Sequence, residues 1–256
     1  VLLDMDGVLY EGERLIEGAV EALHWIRAQG LPHLLLTNTS SRPRSALVAK
    51  LAGLGIDVSA DEILTPAVAA GDWIRSEGVG PVALFCEAST AEDLGQVEVL
   101  AADAESGAGA VLVGDLGARW DFATLNRAFR LLMASERPRL LALGMTRYWR
   151  AEDGLRLDTA PFVAALEHAA GIEAVVLGKP SPLFFAAALA RLDVAAGEAV
   201  MVGDDVRTDV GGAQAAGLQG VLVRTGKFRE ADLDGDVRPD AVIDSLADFP
   251  GWFRAR

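Results

Sequence analysis

The chain alternates short apolar runs with amphipathic segments of helical spacing, and this alternation limits its fold more than any other feature. Apolar runs of strand length that are separated by helices are typical of a parallel sheet covered on both faces. The pattern predicts strands at residues 1–3, 31–36, 174–177, 199–202, 220–223 and 240–243. It also predicts a helix over Ala19–Ala28 and a second helix that follows Pro43. We therefore expect an α/β fold built on a parallel sheet.

Several of the predicted strands end in polar residues. These strand ends are residues 4–7, 37–41, 178–180 and 203–205. In open α/β sheets, ligands bind just beyond the carboxyl ends of the strands. We therefore expect the four turns to meet at one site.

The middle of the chain follows the same pattern of runs without the polar strand ends. It contains predicted strands at residues 82–85, 110–113 and 140–143. Asp121 is a predicted cap for a helix whose apolar positions are Phe122, Leu125, Phe129, Leu132 and Met133. The stretch is long enough for a small independent domain. We predict a first core segment at 1–64, an inserted αβ domain at 65–176 and a second core segment at 177–256.

Asp4 and Asp6 are two residues apart at the end of the first predicted strand, and Gly7 follows them. Two carboxylates this close repel each other, and a bound divalent cation is the simplest way to keep both ionised. Oxygen ligands favour Mg²⁺ over Zn²⁺. A calcium loop does not fit, because Val8, Leu9 and Tyr10 occupy positions that need oxygen ligands. Alone, however, the pair also fits an ordinary turn.

Thr37 and Asn38 offer a hydroxyl and an amide that suit phosphate oxygens, although a helix N-cap explains them as well. Lys179 lies between Gly178 and Pro180 at a strand-to-helix turn, where a merely solvated lysine is unexpected. Its ammonium group could neutralise a phosphoryl group and hold a nucleophile.

Asp204, Asp205 and Asp209 form a second acidic cluster directly after a fully apolar strand. Burying this much negative charge beside a sheet is costly without a cation. The cluster therefore supports a metal site at the same sheet edge.

These motifs, in this order, resemble the four motifs of the haloacid-dehalogenase-like (HAD) phosphatases, and the resemblance covers the whole chain. It implies a Rossmann-like HAD core with an inserted C2-type cap. Local phrases are similar to the NagD-like branch of that family. They are Asp-Met-Asp-Gly-Val-Leu-Tyr at 4–10, Thr-Asn-Thr-Ser-Ser at 37–41, Gly-Lys-Pro-Ser-Pro at 178–182 and Val-Arg-Thr-Gly-Lys-Phe at 223–228.

The resemblance implies roles for both members of the first acidic pair. Asp4 would attack phosphorus and form an aspartyl-phosphate. Asp6 would protonate the leaving oxygen and then activate water. Mg²⁺ would be held by Asp4, the Asp6 backbone carbonyl and Asp204.

The remaining motif residues would support this chemistry. Thr37, Asn38 and Lys179 would bind the phosphoryl oxygens. Asp205 and Asp209 would orient the metal's water ligands or Lys179. Selectivity for the substrate would come from the cap, which often dimerises in this branch, so a homodimer through the cap is expected.

The net charge of −14 argues against nucleic-acid binding, which demands clustered Lys and Arg. A lone cysteine, Cys86, cannot form an internal disulfide, and no apolar stretch has membrane-spanning length. We expect a cytoplasmic protein that acts on a small phosphorylated molecule, without nucleic-acid or membrane partners. Because the chain begins inside an apolar run at Val1, residues could precede it.

Alternative functions remain open at this point. A signalling receiver domain also combines aspartates, a threonine and a lysine, but it is about half as long and has no reason to keep Asp6. A catalytically weak or inactive binding protein on the same fold has no need for Asp6 either. Dehalogenases of the fold typically lack the second aspartate. Among phosphatases, pyrophosphate, phosphoamino acids, sugar phosphates and nucleotides all remain candidate substrates.

Gly226-Lys227 invites comparison with a phosphate-binding loop. The spacing does not fit that motif, because five residues, and not four, separate Gly220 from Gly226, and Phe228 stands where a hydroxyl is required. We expect no such loop here.

Overall fold

The computed structural model describes residues 1–151 and 153–256. These residues form two compact units, which we call unit 1 and unit 2. Unit 1 comprises Val1–Thr37, Ser45–Leu64 and Lys179–Arg256. Unit 2 comprises Asn38–Arg44 and Thr65–Gly178. The division into core and inserted domain at 64/65 and 176/177 stays a prediction.

The secondary structure alternates strands and helices along the chain, as the sequence predicts. The strands are β1 (Leu2–Asp4), β2 (Tyr10–Glu11), β3 (Arg14–Leu15), β4 (Leu34–Leu36), β5 (Ile63–Leu64), β6 (Val82–Phe85), β7 (Ala110–Val113), β8 (Arg139–Ala142), β9 (Tyr148–Ala151), β10 (Gly154–Leu157), β11 (Val175–Val176), β12 (Val200–Gly203), β13 (Gln219–Val223) and β14 (Ala241–Ile243). The α-helices are α1 (Ala19–Ala28), α2 (Arg44–Gly53), α3 (Pro66–Glu77), α4 (Phe122–Leu132), α5 (Thr159–Ala170), α6 (Pro182–Leu192), α7 (Gly212–Ala215) and α8 (Phe249–Arg254).

Unit 1 is built on a six-stranded sheet in the order β14-β13-β12-β1-β4-β5. Every neighbouring pair in this sheet is parallel. In the register of β1, Leu2 lies opposite Met201 on one side and Leu34 on the other. The strands at the centre are fully buried, because helices cover the sheet. The predicted α/β fold with a parallel sheet is confirmed.

Helix α1 shows how the sequence pattern becomes packing in unit 1. Its bounds are those predicted, and Ala19, Leu23 and Ile26 point into the apolar core. Gly30, with φ +65°, follows the helix end in the left-handed conformation that glycine adopts without strain. The helix thus buries one face against the sheet and leaves the other to solvent.

Strand β4 is shorter than the predicted run at 31–36, and the difference has a physical reason. Pro32 has no N–H and cannot donate to a neighbouring strand, so regular pairing starts only at Leu34. The Pro32 carbonyl instead accepts a hydrogen bond from the Val1 amino group at 2.6 Å.

Unit 2 contains its own four-stranded parallel sheet, in the order β11-β8-β7-β6. Helix α4 is capped by Asp121, whose Oδ1 accepts a hydrogen bond from the Thr124 N–H at 2.7 Å. The predicted apolar face of this helix is partly wrong, because Phe122 is 82% exposed and Met133 is 57% exposed. The two residues flank the helix ends, beyond the stripe centred on Ala128 and Leu131 that meets the core.

A two-stranded antiparallel hairpin, β9–β10, was not predicted from the sequence. Its strands carry several large exposed side chains, among them Tyr148, Trp149, Leu155 and Leu157. An apolar run that is only four residues long and mixed with arginines gives no clear period, so the pattern did not separate this hairpin from a loop.

Within the described ranges, none of the helices combines the length and the apolar character that crossing a bilayer requires.

Glu62 joins three parts of unit 1 beside β5. Its carboxylate forms an ion pair with Arg27 at 2.6 Å and lies 3.1 Å from Nε2 of His33. It also accepts a hydrogen bond from the Ser59 N–H at 2.8 Å. Partial burial alone would raise the pKa of Glu62, but the Ser59 N–H and the Arg27 guanidinium outweigh it and lower the pKa to about 2.

We expect Glu62→Gln to lower the free energy of unfolding by about 1 kcal/mol at neutral pH, the usual size for a lost charged cap or ion pair. Because the folded-state pKa lies below the ordinary value of 4.5, the carboxylate stabilises the fold above that value and loses this effect as the pH falls towards 2. Urea unfolding of the unaltered chain and of Glu62→Gln at a series of pH values measures this effect. The difference between their free energies of unfolding should become smaller as the pH is lowered. A difference that stays constant with pH would contradict this account.

Candidate active site

The carboxyl edge of the unit 1 sheet brings acidic residues from two neighbouring strands together. Asp4 is the last residue of β1, and Asp204 directly follows β12, which pairs with β1 in parallel. Both side chains are buried. Because parallel neighbours end at the same edge, the two carboxylates face one space, as the sequence predicts for strand ends.

Lys179 lies between the carboxylates of Asp4 and Asp209. Its Nζ is 2.6 Å from Asp4 Oδ1 and 2.7 Å from Asp209 Oδ1, and all three side chains are buried. Burial by itself would lower the pKa of Lys179, but the charges of Asp209 and Asp4 outweigh burial and raise the pKa above its ordinary value. The ammonium group is therefore charged at every physiological pH.

Asp209 reaches Lys179 because of the turn that follows β12. Asp205 caps a single π-helical turn, Val206–Gly211, and its Oδ1 accepts hydrogen bonds from the N–H groups of Arg207 and Thr208, each at 3.0 Å. The Asp205 N–H donates to Asp209 Oδ2 at 3.1 Å. Asp205 thus shapes the turn and holds Oδ2 of Asp209, while Lys179 pairs with Oδ1.

Asp204 has one oxygen that is held and one that is not. Its Oδ2 accepts a hydrogen bond from the Lys227 N–H at 2.8 Å. Its Oδ1 is buried, and among the described residues it has no hydrogen-bond partner. Burial first, and then the charge of Asp4, raise the pKa of Asp204 to about 7. A nearby cation would satisfy the buried oxygen and favour the ionised form.

The charges of the site fit a divalent cation. Oxygen atoms of Asp4, Asp204 and Asp209 all lie within 4.8 Å of one another, and Lys179 is the ammonium group that ion-pairs with two of these acids. Three buried carboxylates exceed the charge that one lysine can neutralise. A purely oxygen-based set of ligands suits Mg²⁺ or Ca²⁺ better than Zn²⁺. The donor set and the unpartnered Asp204 oxygen therefore fit the group that the sequence predicts.

Asp6 does not join the buried cluster through its carboxylate, which is exposed. The turn that carries it is closed by hydrogen bonds from the Gly7 N–H to the Tyr10 carbonyl at 2.7 Å and from the Leu9 N–H to the Met5 carbonyl at 2.9 Å. Gly7 has φ +85°, and a Cβ there would lie 2.1 Å from Asp204 Oδ2. The turn can pass this close to Asp204 only because position 7 has no side chain.

The predicted pair Thr37 and Asn38 is divided between the two units. Thr37 follows β4 in unit 1, is buried, and donates its N–H to the Leu64 carbonyl at 3.3 Å. Asn38 belongs to unit 2, where a Cβ added to Gly178 would lie 3.2 Å from its Oδ1. The contribution of both residues to phosphate binding stays a prediction.

Sequence reasoning missed the polar turn after β13. Lys227 donates its backbone N–H to Asp204, Thr225 donates its hydroxyl to the Gly7 carbonyl, and Gly226 donates its N–H to Glu11 Oε1 at 2.7 Å. Residues 223–228 are similar to the NagD-like branch, and Gly226-Lys227 does not fit a phosphate-binding loop, but neither observation predicts that this turn contacts Asp204. The available signal was its position, because β13 ends at the same sheet edge as β12 and β1.

Comparison with known proteins agrees with this geometry. A family model described as haloacid dehalogenase-like hydrolase matches residues 1–99, and one described as HAD-hydrolase-like matches residues 176–249. The phospholysine phosphohistidine inorganic pyrophosphate phosphatase of Homo sapiens is 40% identical over 253 residues, which cover 97% of this chain and 91% of that protein.

Solved structures give the same result. The p-nitrophenyl phosphatase from Archaeoglobus fulgidus superposes with a TM-score of 0.88 at 29% identity, covering 98% of this chain and 97% of the other. NagD from E. coli K-12 gives a TM-score of 0.85 at 28% identity, with 96% of each chain covered. The chain belongs to the haloacid-dehalogenase-like hydrolase family. Within that family, it is a phosphatase of the NagD-like branch.

We expect Lys179→Met to lower the free energy of unfolding by about 3 kcal/mol, because it leaves two buried carboxylates without their cation. Lys50→Met is a matched control, since Lys50 Nζ lies 4.0 Å from the exposed carboxylate of Glu13. That change should cost less than about 1 kcal/mol, including the loss of its contact with the Tyr10 ring. Urea unfolding measures both, and equal effects of the two substitutions would show that the buried ion pairs do not hold the site together.

Proposed function

We propose that this phosphatase is Mg²⁺-dependent and hydrolyses a small phosphorylated substrate through an aspartyl-phosphate on Asp4. The observation that carries the proposal is the environment of Asp4. Its carboxylate is buried at the end of β1, and one oxygen is 2.6 Å from the Lys179 ammonium. Asp204 lies beside it with an oxygen that has no hydrogen-bond partner within residues 1–151 and 153–256. A carboxylate that is paired with an ammonium group and fixed in direction is suited to nucleophilic attack.

In the first step, an Asp4 oxygen would form a bond to phosphorus while the bond between phosphorus and the leaving oxygen breaks. Asp6 would give its proton to that leaving oxygen. In the second step, water would attack the phosphoryl group, the bond to Asp4 would break, and Asp6 would take the proton from water. Phosphate leaves, and both carboxylates return to their starting states. The exposure of Asp6 supports this role, because an acid and base must reach both substrate and water.

A bound Mg²⁺ would offset the negative charge on the transferring phosphoryl group. Asp4, the Asp6 backbone carbonyl and Asp204 are the proposed ligands. Asp209 is less suited to be one, because one of its oxygens pairs with Lys179 and the other accepts the Asp205 N–H. We assign Asp209 and Asp205 to positioning Lys179. Thr37, Asn38 and Lys179 are the proposed contacts of the phosphoryl oxygens.

The substrate is proposed by class only. The relative from Homo sapiens carries the names of phospholysine, phosphohistidine and inorganic pyrophosphate, and these compounds, with sugar phosphates and nucleotides, are the first to test. Cys86 is buried, and burial raises its pKa to about 12, so it is unreactive as a thiolate. This supports a structural thiol and is compatible with a reducing cytoplasm. A homodimer that forms through the cap stays a prediction.

The second candidate function is a phosphate-binding protein that has lost catalysis. The intact pair of Asp4 and Asp6 argues against it, because binding alone needs no acid and base. A panel of phosphorylated metabolites separates the two functions. Turnover of p-nitrophenyl phosphate that requires Mg²⁺ and stops with EDTA would support the enzyme, whereas binding without turnover across the panel would support the alternative.

We expect Asp4→Asn to abolish turnover, because an amide oxygen cannot displace the leaving group. Hydrolysis of p-nitrophenyl phosphate at saturating Mg²⁺ measures the loss, and mass spectrometry must show that the asparagine has not deamidated. Lys50→Met again serves as the control for a charge change away from the site. Full activity of a verified Asp4→Asn protein would exclude Asp4 as the nucleophile.

Asp6→Asn should reduce kcat by about 10²- to 10⁴-fold, the usual contribution of a general acid and base. The loss should be smaller with p-nitrophenyl phosphate than with an alkyl phosphate, because p-nitrophenolate leaves without needing a proton. The ratio of the two kcat values is the measurement. Equal losses with both substrates would argue against proton donation by Asp6.

A further inference from the structure

The turn after β13 contacts both sides of the proposed metal site through groups that the reaction itself does not use. We call residues 225–227 the 225–227 segment. The Lys227 N–H donates to Asp204 Oδ2 at 2.8 Å. This bond fixes one oxygen of the carboxylate and leaves Oδ1 as the buried oxygen without a partner among the described residues. A carboxylate held at one oxygen presents the other in a defined direction.

The same segment also holds the turn that carries Asp6. The Thr225 hydroxyl donates to the Gly7 carbonyl, and the Gly226 N–H donates to Glu11 Oε1 at 2.7 Å. Thr225 is half-buried, so this hydroxyl bond is partly shielded from water. The segment therefore connects the turn after β1 to the acidic residue after β12.

These three pieces of chain lie so close together that position 226 has no room for a side chain. Gly226 has φ +66°, and a Cβ there would lie 2.1 Å from Asp204 Oδ2 and 2.7 Å from the Gly7 Cα. Any side chain at position 226 would push Asp204 or the 4–7 turn away. The short distance is what lets one three-residue segment bond to both.

We propose that the 225–227 segment is a positioning element for the metal: it orients Asp204 through the Lys227 N–H and the 4–7 turn through the Thr225 hydroxyl. The inference rests on the proposed function, since it concerns the same Mg²⁺ site. Residues 225–227 do not touch the reacting atoms in this account. They act on metal affinity through Asp204 and the Asp6 backbone.

The test uses Thr225→Val, which keeps the shape of the side chain and removes the hydroxyl donor. Mg²⁺ binding is measured by calorimetry on the full chain with Mg²⁺ alone and no substrate. We expect Thr225→Val to weaken Mg²⁺ binding about 10-fold, the usual effect of losing a group that orients a ligand. Thr225→Ser, which restores the hydroxyl, should bind Mg²⁺ nearly as well as the unaltered chain.

Two further variants separate positioning from loss of stability. Thr124→Val removes a hydroxyl that bonds to the helix cap Asp121, so it should lower the melting temperature without changing Mg²⁺ binding. Gly226→Ala should displace Asp204 directly, because the added Cβ would collide with its Oδ2. It should weaken Mg²⁺ binding at least as much as Thr225→Val does. Circular dichroism shows whether each variant is folded.

Kinetics give the second readout. For Thr225→Val, the Mg²⁺ concentration at half-maximal activity should rise by the factor that calorimetry gives, while the KM for substrate at saturating Mg²⁺ stays unchanged. If folded Thr225→Val binds Mg²⁺ as well as the unaltered chain does, or if Thr225→Ser fails to restore binding, the inference is wrong and the proposed function stands. If the unaltered chain neither binds Mg²⁺ nor needs it for turnover, the proposed function fails and this inference falls with it.

Discussion

The organisation of the site depends on one ammonium group between two buried carboxylates. Lys179 enters from the start of the last chain segment, Asp4 from the central strand β1, and Asp209 from the turn after β12. The ion pair of Lys179 with Asp4 joins residues 175 positions apart in the chain. Because an unpaired charge at this depth is strongly unfavourable, each of the three residues requires the other two. The ion pairs therefore select one arrangement of the strand ends, and the remaining groups are placed relative to it.

This arrangement leaves an excess of negative charge that the protein alone does not neutralise. Lys179 offsets part of the charge of Asp4 and Asp209, but Asp204 lies beside them with its pKa raised to about 7 and with one oxygen that has no hydrogen-bond partner in the described part of the chain. Burial of the carboxylates and their mutual repulsion are unfavourable in a purely structural cluster, but both favour the binding of a cation. The same imbalance that destabilises the cluster without metal would favour Mg²⁺ and, with it, an anionic phosphoryl group.

The sequence predicted those parts of the molecule that follow from the chemistry of a single residue or from a regular spacing of apolar residues. Helix α1 has the predicted bounds, since a single apolar stripe and a terminal glycine define it. The acidic strand ends were predictable because parallel strands share an edge. The exposure of Phe122 and the β9–β10 hairpin were not, since both depend on where neighbouring elements end. Thr37 and Asn38 belong to different units, and this division likewise depends on tertiary packing.

The contact of the 225–227 segment with Asp204 cannot be recognised from the residue types in the sequence. The bond to Asp204 comes from the backbone N–H of Lys227, which almost any residue could supply, so no side chain marks it. What the sequence does record is the space requirement: Gly7 and Gly226 both have positive φ, and both lack the Cβ that would collide with the same Asp204 oxygen. Gly7 follows β1 and Gly226 follows β13, the two strands on either side of β12, so the two glycines mark where the carboxylate after β12 packs between two backbones. The chemistry of the site is carried by its acids and its lysine, but its precision depends on positions where a side chain is missing.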